Sequence, residues 1–185
     1  MRLASLTDLK VFLEKTDTTH DSLLAIILDS ISVAFETYTG REFEKYSRVE
    51  YFDDGKKSYC VKAFPVDTTI ASVMLIDSTA QTVDDDYFIW ADKGIFELVT
   101  DSIKVDPKNV SITYTGGYSW TAGSGKINVP DDLSFACLTQ CAYVFRNRKN
   151  IGMNSVSLPD GSVNVNNQDE FLPQVISVLE RYKII

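Results

Sequence analysis

The sequence predicts an α+β protein: a small helical bundle formed by N- and C-terminal helices, with an inserted antiparallel β section. Two patterns carry this prediction. Apolar residues recur every three or four positions before residue 39 and again after residue 130. Between these stretches, short bursts of Val, Ile, Tyr, Phe and Thr alternate with Gly, Asp and Pro, which is strand-and-turn chemistry. The expected organisation is helices over 1–44, a β-rich insertion over 45–118, and helices over 119–185 with a polar loop at 154–168. All of it is expected to form one compact domain.

Ser5-Leu6-Thr7-Asp8 reads as a capping box, and Leu6, Leu9, Phe12 and Leu13 then share a helical face. Thr18-Thr19-His20-Asp21 offers a second box. Leu24, Ile27, Ile31, Phe35 and Tyr38 follow at helical spacing, and Gly40 stands where a left-handed cap ends a helix. In the β section, Arg48–Phe52 and Ser58–Phe64 flank Asp53-Asp54-Gly55-Lys56, a hairpin signal. Ile70–Ile76 is a further apolar run. Tyr87–Trp90 and Ile95–Val99 flank Ala91-Asp92-Lys93-Gly94, a second hairpin signal, and Val110–Tyr114 is the last strand. Pro130 suits a first helical position, with Asp131 and Asp132 at the positive end of the dipole. Leu133, Ala136, Cys137, Cys141, Val144 and Phe145 form its stripe, and Gly152 is expected to close it. Residues 154–168 read as a long loop or loose hairpin. Phe171–Tyr182 reads as a final helix, with Pro173 tolerable only in its first turn.

The charge balance excludes some functions. Net charge is −8, which disfavours a sequence-reading DNA binder but suits a wall that DNA passes without sticking. Three cysteines, scattered and odd in number, do not make a disulfide framework. The N-terminal residues lack the apolar core of a signal peptide, and the aliphatic run from Leu23 to Leu28 is too short to span a bilayer. A cytosolic protein with no membrane partner is therefore expected.

No catalytic, cofactor or metal constellation is expected from the residues. His20 beside Asp21 has the makings of a general base, but it reads more simply as a turn residue with no nucleophile elbow nearby. Cys137 and Cys141 lie one helical turn apart, and as metal ligands they lack two further partners, so they read as core thiols. Asp84-Asp85-Asp86 lacks the spacing of a calcium loop and reads as a solvated turn. A metal hydrolase would need these acids to converge with Asp53, Asp54 or Asp77. Gly123-Ser124-Gly125-Lys126 fails the phosphate-loop pattern, because Trp120 and Ile127 stand where Gly and Ser or Thr are required. Arg146, Arg148 and Lys149 form a basic cluster that suits either a DNA phosphate or acidic partner, or simple termination of a helix. A carbohydrate- or cell-surface-binding module is the alternative from another class, with Tyr59, Tyr87, Trp90, Tyr118 and Trp120 as an exposed aromatic platform.

Taken in order, the pieces Leu6-Thr7-Asp8-Leu9-Lys10, Tyr38-Thr39-Gly40-Arg41, Pro65-Val66, Val73, Tyr114-Thr115-Gly116-Gly117-Tyr118, Val129-Pro130-Asp131-Asp132-Leu133 and Phe145-Arg146-Asn147-Arg148 are similar to the head–tail connector (adaptor, head-completion) family of long-tailed double-stranded DNA phages. The resemblance covers most of the chain, and the order of the pieces carries its specificity. It implies a non-enzymatic virion protein of the neck, made in the host cytoplasm. Such proteins form a homo-oligomeric ring, commonly dodecameric, below the portal protein. The ring extends the channel for transient passage of DNA and offers a docking face to the tail or to the next neck or tail-completion protein. The family's helical bundle builds the ring, and its C-terminal segments contact the portal. By that analogy Phe171, Leu172, Val175, Leu179 and Tyr182 are expected at a portal or inter-subunit contact. Free subunits are expected to stay monomeric until the portal templates them. Another neck or tail-completion protein is the nearest alternative.

Overall fold

The computed structural model describes residues 2–53, 55–75, 80–99, 109–119, 129–150, 155–158, 161–164 and 171–184. The elements are α1 (Leu6–Phe12), α2 (Asp21–Thr39), β1 (Tyr46–Phe52), β2 (Ser58–Cys60), β3 (Ser72–Leu75), β4 (Tyr87–Trp90), β5 (Ile95–Leu98), β6 (Val110–Gly116), α3 (Asp131–Asn147), β7 (Ser155–Leu158), β8 (Gly161–Asn164) and α4 (Pro173–Leu179). The chain is α+β, with a bundle of N- and C-terminal helices and an inserted antiparallel β section. It divides into two compact units: Met1–Thr39 with Val129–Lys183, and Gly40–Asn128.

In the helical unit each helix buries one stripe. Leu9 of α1, Leu24, Leu28 and Phe35 of α2, Leu133, Cys137 and Cys141 of α3, and Val175 and Leu179 of α4 are all buried. Local chemistry sets the ends. The Ser5 hydroxyl accepts from the Asp8 N–H at 2.9 Å, which is the expected cap of α1. Gly40 adopts φ +70°, the left-handed conformation that stops α2. Pro130 serves as the N-cap of α3 and not as its first residue. α4 has no side-chain cap at Leu172. The buried Gln140 compensates, because its Oε1 accepts from the Leu172 N–H at 3.1 Å. Helix α2, at 19 residues, is long and apolar enough to cross a membrane by length and composition alone. Its apolar stripe is spent on the bundle, and its outer face carries Asp29 and Ser30.

The β unit holds two three-stranded antiparallel sheets, ordered β1-β6-β3 and β2-β5-β4. Their inner faces share one core of Tyr59, Val61, Val73, Phe96, Ile112 and Tyr114 with neighbours. The β4–β5 hairpin forms as expected, around a 3-10 turn at Ala91–Lys93 and Gly94 at φ +65°. The hairpin expected around Asp53–Lys56 does not form. β1 pairs with β6 along seven residues, from Tyr46↔Gly116 to Phe52↔Val110, whereas β2 pairs with β5 in the other sheet. Gly55, at φ +62°, thus lies in a connection between sheets. The long β6 matches the length and alternation of β1, which the three-residue β2 cannot do. Within the polar stretch after α3, β7 and β8 pair as a hairpin from Ser155↔Asn164 to Leu158↔Gly161. The expected stop at Gly152 lies outside the described residues.

Candidate functional site

Three of the motif pieces, around Arg41, Pro65 and Gly116–Tyr118, meet in one place, and that place is a structural knot. Arg41 follows the α2 stop and is 3% exposed. Its guanidinium lies 3.4 Å from the Phe64 ring centroid and donates to the Phe64 carbonyl, with the Phe43 ring at 5.4 Å and the Tyr118 ring at 5.8 Å. A planar cation with a weak hydration shell is suited to such stacking. Backbone bonds close the knot: Glu42 N–H to Lys62 O at 3.0 Å, Gly117 N–H to Pro65 O at 3.0 Å, and Tyr118 N–H to Phe43 O at 2.6 Å. The Gly116-Gly117 pair follows from this crowding. A Cβ on Gly116 would stand 2.2 Å from the Ala63 carbonyl oxygen, and one on Gly117 would meet two carbonyls under 3 Å while φ is +103°.

Tyr114 anchors the next layer. Its hydroxyl accepts from the Ala63 N–H at 3.1 Å and donates to Glu50, which also accepts from the Lys62 N–H at 3.1 Å. Burial, then the bond to Glu50, pushes the Tyr114 phenol well above the ordinary tyrosine range. This is a satisfied buried network.

The remaining candidates are dispersed. His20 is half-buried at the entry to α2, edge-on to Phe145 at 5.4 Å. Cys137 and Cys141 are buried in α3 with their Sγ atoms 4.0 Å apart. Hydrogen bonding to Cys137 and burial push the Cys141 thiol far up. Asp86 accepts from the Thr82 N–H at 2.8 Å, and Asp84 sits at φ +68°, so the Asp84–Asp86 run shapes the turn into β4. Among the described residues, no three His, Cys, Asp or Glu side chains gather to hold a metal ion. Asp54, Asp77, Trp120 and Gly123–Lys126 lie outside those residues. In the basic cluster, Arg148 folds back over the Phe145 ring at 4.0 Å and donates to its carbonyl. Arg146 and Lys149 stay exposed.

The C-terminal residues expected at a partner contact are partly committed to the bundle. Val175 and Leu179 are 1% and 0% exposed. Phe171 is half-buried, edge-on to Phe35 at 5.2 Å and to Tyr38 at 5.5 Å. Leu172 and Tyr182 are half-buried, and the Tyr182 hydroxyl donates to Asp132 at 2.5 Å. Arg181 reaches the same carboxylate at 3.1 Å.

The exposed aromatic platform does not exist as expected. Tyr59, Tyr87 and Tyr118 are 3%, 2% and 7% exposed: strand register turns the first two to the core, and Tyr118 stacks on Phe43. Trp90 is exposed, together with Phe88, which the sequence pattern had not singled out. On the outer side of β2-β5-β4, Ser58, Trp90, Lys93, Ile95 and Glu97 line a shallow groove of about 280 Å³. The outer side of β1-β6-β3 differs. Its cross-strand rows are Ser47–Thr115, Val49–Thr113–Ser72 and Tyr51–Ser111–Met74, and none of these eight side chains is charged. Val49, Tyr51 and Met74 are exposed there. The chain as a whole has 24% charged residues.

Comparison with known proteins gives these surfaces a context. No curated protein sequence matches the chain. Among solved structures, it is similar to a chain from the neck of an empty gene transfer agent particle computed with sixfold symmetry, with TM-score 0.59, 17% identity, and coverage of 99% of this chain and 90% of that one. A chain of the native gene transfer agent virion gives TM-score 0.58 at 17% identity, again over 99% and 90%. One from the native neck computed with twelvefold symmetry gives 0.52 at 18% identity, over 98% and 92%. These likenesses establish a common fold. The family model described as "Head completion protein" matches residues 2–185. By that match across its length, the chain belongs to the head completion protein family.

Proposed function

We propose that this protein completes the head of a phage-type particle by forming a ring below the portal protein. The ring extends the DNA channel and presents a face to the tail or to the next neck protein. The observation that carries this reading is the family match over residues 2–185. The similar chains taken from particle necks computed with sixfold and twelvefold symmetry support the ring. The role is structural, and it depends on complementary surfaces in place of a reactive pocket. The net charge of −8 suits a channel component, since an acidic wall repels phosphate.

Within this reading the C-terminal segment contacts the portal or a neighbouring copy. With α4 docked, Phe171, Leu172 and Tyr182 are the accessible part of that contact, while Val175 and Leu179 hold the helix in place. Arg146 and Lys149 are the exposed cations offered to an acidic partner or to passing phosphate. Electron microscopy of the protein mixed with its candidate portal tests the proposal. A ring on the portal's tail-facing end is expected, and a protein that binds only tail components would sink it.

A further inference from the structure

We infer that the uncharged outer face of the β1-β6-β3 sheet is a contact surface for a second copy of this chain. The inference rests on the ring reading above and names one of the surfaces that a ring requires. Copies in a ring meet head-to-tail through two different faces.

Charge selects the occupant. Every copy carries −8, so copies repel wherever their acidic surfaces meet. A partner of opposite charge would be recognised by acidic side chains and would gain nothing from their removal. A like-charged partner needs the reverse, a face where no carboxylate must be desolvated or brought near another. The three rows from Ser47–Thr115 to Tyr51–Ser111–Met74 meet that requirement, with Val49 and Tyr51 offering apolar area at 47% and 57% exposure. The other sheet does not, because Glu97 and Lys93 stand in its outer groove.

Size agrees with templated assembly. Three strands at roughly 4.8 Å spacing and up to seven residues at about 3.3 Å each give on the order of 300 Å². A stable complex buries about 800 Å² per partner. This face alone therefore holds two copies weakly, and it becomes effective when a template sets them side by side.

The test places photoreactive p-benzoylphenylalanine at position 113, in place of Thr113, and at position 88, in place of Phe88, as a control. The full chain is then assembled on its candidate portal and irradiated. The expected product is an adduct of two copies from position 113 and not from position 88. Its yield should rise with salt, because screening removes repulsion between like charges. Val49→Glu and Val49→Lys should each lower ring occupancy at least tenfold, with the thermal midpoint of the free protein unchanged. Rings that form while position 113 yields no adduct with a second copy, or only an adduct with another protein, overturn the inference and leave the ring reading intact. An effect of one sign of charge only, or an adduct weakened by salt, identifies an oppositely charged partner and overturns it as well. Absence of any ring from the wild-type protein with its portal removes both.

Discussion

The helical unit and the β unit solve the same problem with opposite consequences for their surfaces. Each helix of the bundle turns one stripe inward, and the rest of its circumference stays mixed. On α2, for example, exposed Ile26 and Val33 are interspersed with Asp29 and Ser30. Strands sort side chains more strictly, because alternate residues face opposite sides. In β6 the inner series is Val110, Ile112 and Tyr114, and the outer series is Ser111, Thr113 and Thr115. Pairing with β1 and β3 then assembles whole faces of one character. The bundle makes a stable body, whereas the sheets can also make a flat surface with a uniform chemical character. An assembly protein has use for both.

Substitutions in the two units put this contrast to the test. The largest effects belong to the two cores. Phe35→Ala in the bundle and Phe96→Ala in the sheets remove fully buried rings, and each should cost about 3–5 kcal/mol in urea unfolding. A much smaller loss at either position would mean that its unit is loosely packed. Next comes the knot: Arg41→Ala deletes a stacked cation and a charged hydrogen bond, for an expected loss of about 3 kcal/mol. If that variant melts like the wild type, the knot is ornamental.

Tyr114→Phe should cost about 1–2 kcal/mol, since it leaves the Ala63 N–H without its acceptor. It should also change the alkaline limb. The folded-state pKa of Tyr114 is raised by burial, so its contribution to stability is complete below the ordinary value of 10.0 and is lost as pH rises through that range toward the folded value. The variant should therefore lose less stability than the wild type between about pH 9 and pH 11, as measured by denaturant midpoints. The smallest effect on folding is expected on the uncharged face, where Val49→Glu should stay within about 0.5 kcal/mol. A large folding penalty there would show that the residue serves the unit's own core.

The same contrast explains how much could be read before the fold was known. α2 and α3 were legible because a helical stripe is written within one segment, as in Leu24, Leu28 and Phe35. The β4–β5 hairpin was legible because its turn joins true partners. The Asp53–Lys56 turn misled because a turn signal announces a change of direction without naming the partner, and the partner of β1 lies far along the chain in β6. Tyr87-Phe88-Ile89-Trp90 contains no polar alternation, so the sequence does not tell that Tyr87 faces the core and Phe88 the solvent. Arg41 is legible as part of a motif but not as a buried residue, because nothing local in the sequence shows the three aromatic rings that surround it. The uncharged face was present in the sequence as Ser47, Val49, Tyr51 and Ser111, Thr113, Thr115. Only the register sets those two series side by side. Two of the motif pieces have a clear structural reason: a Cβ at Gly116 or Gly117 would collide with backbone carbonyls, and Arg41 fills a slot between aromatic rings.

The paired sulfurs inside α3 carry one more implication. Cys137 and Cys141 are sealed from solvent, and the one other thiol, Cys60, is half-buried and held above its usual range by its surroundings. Nucleophilic sulfur requires the deprotonated form, which burial disfavours at Cys141 and at Cys60. A thiol reagent can reach the two sulfurs of α3 only when the bundle opens, so the rate of their labelling is a direct clock for that opening.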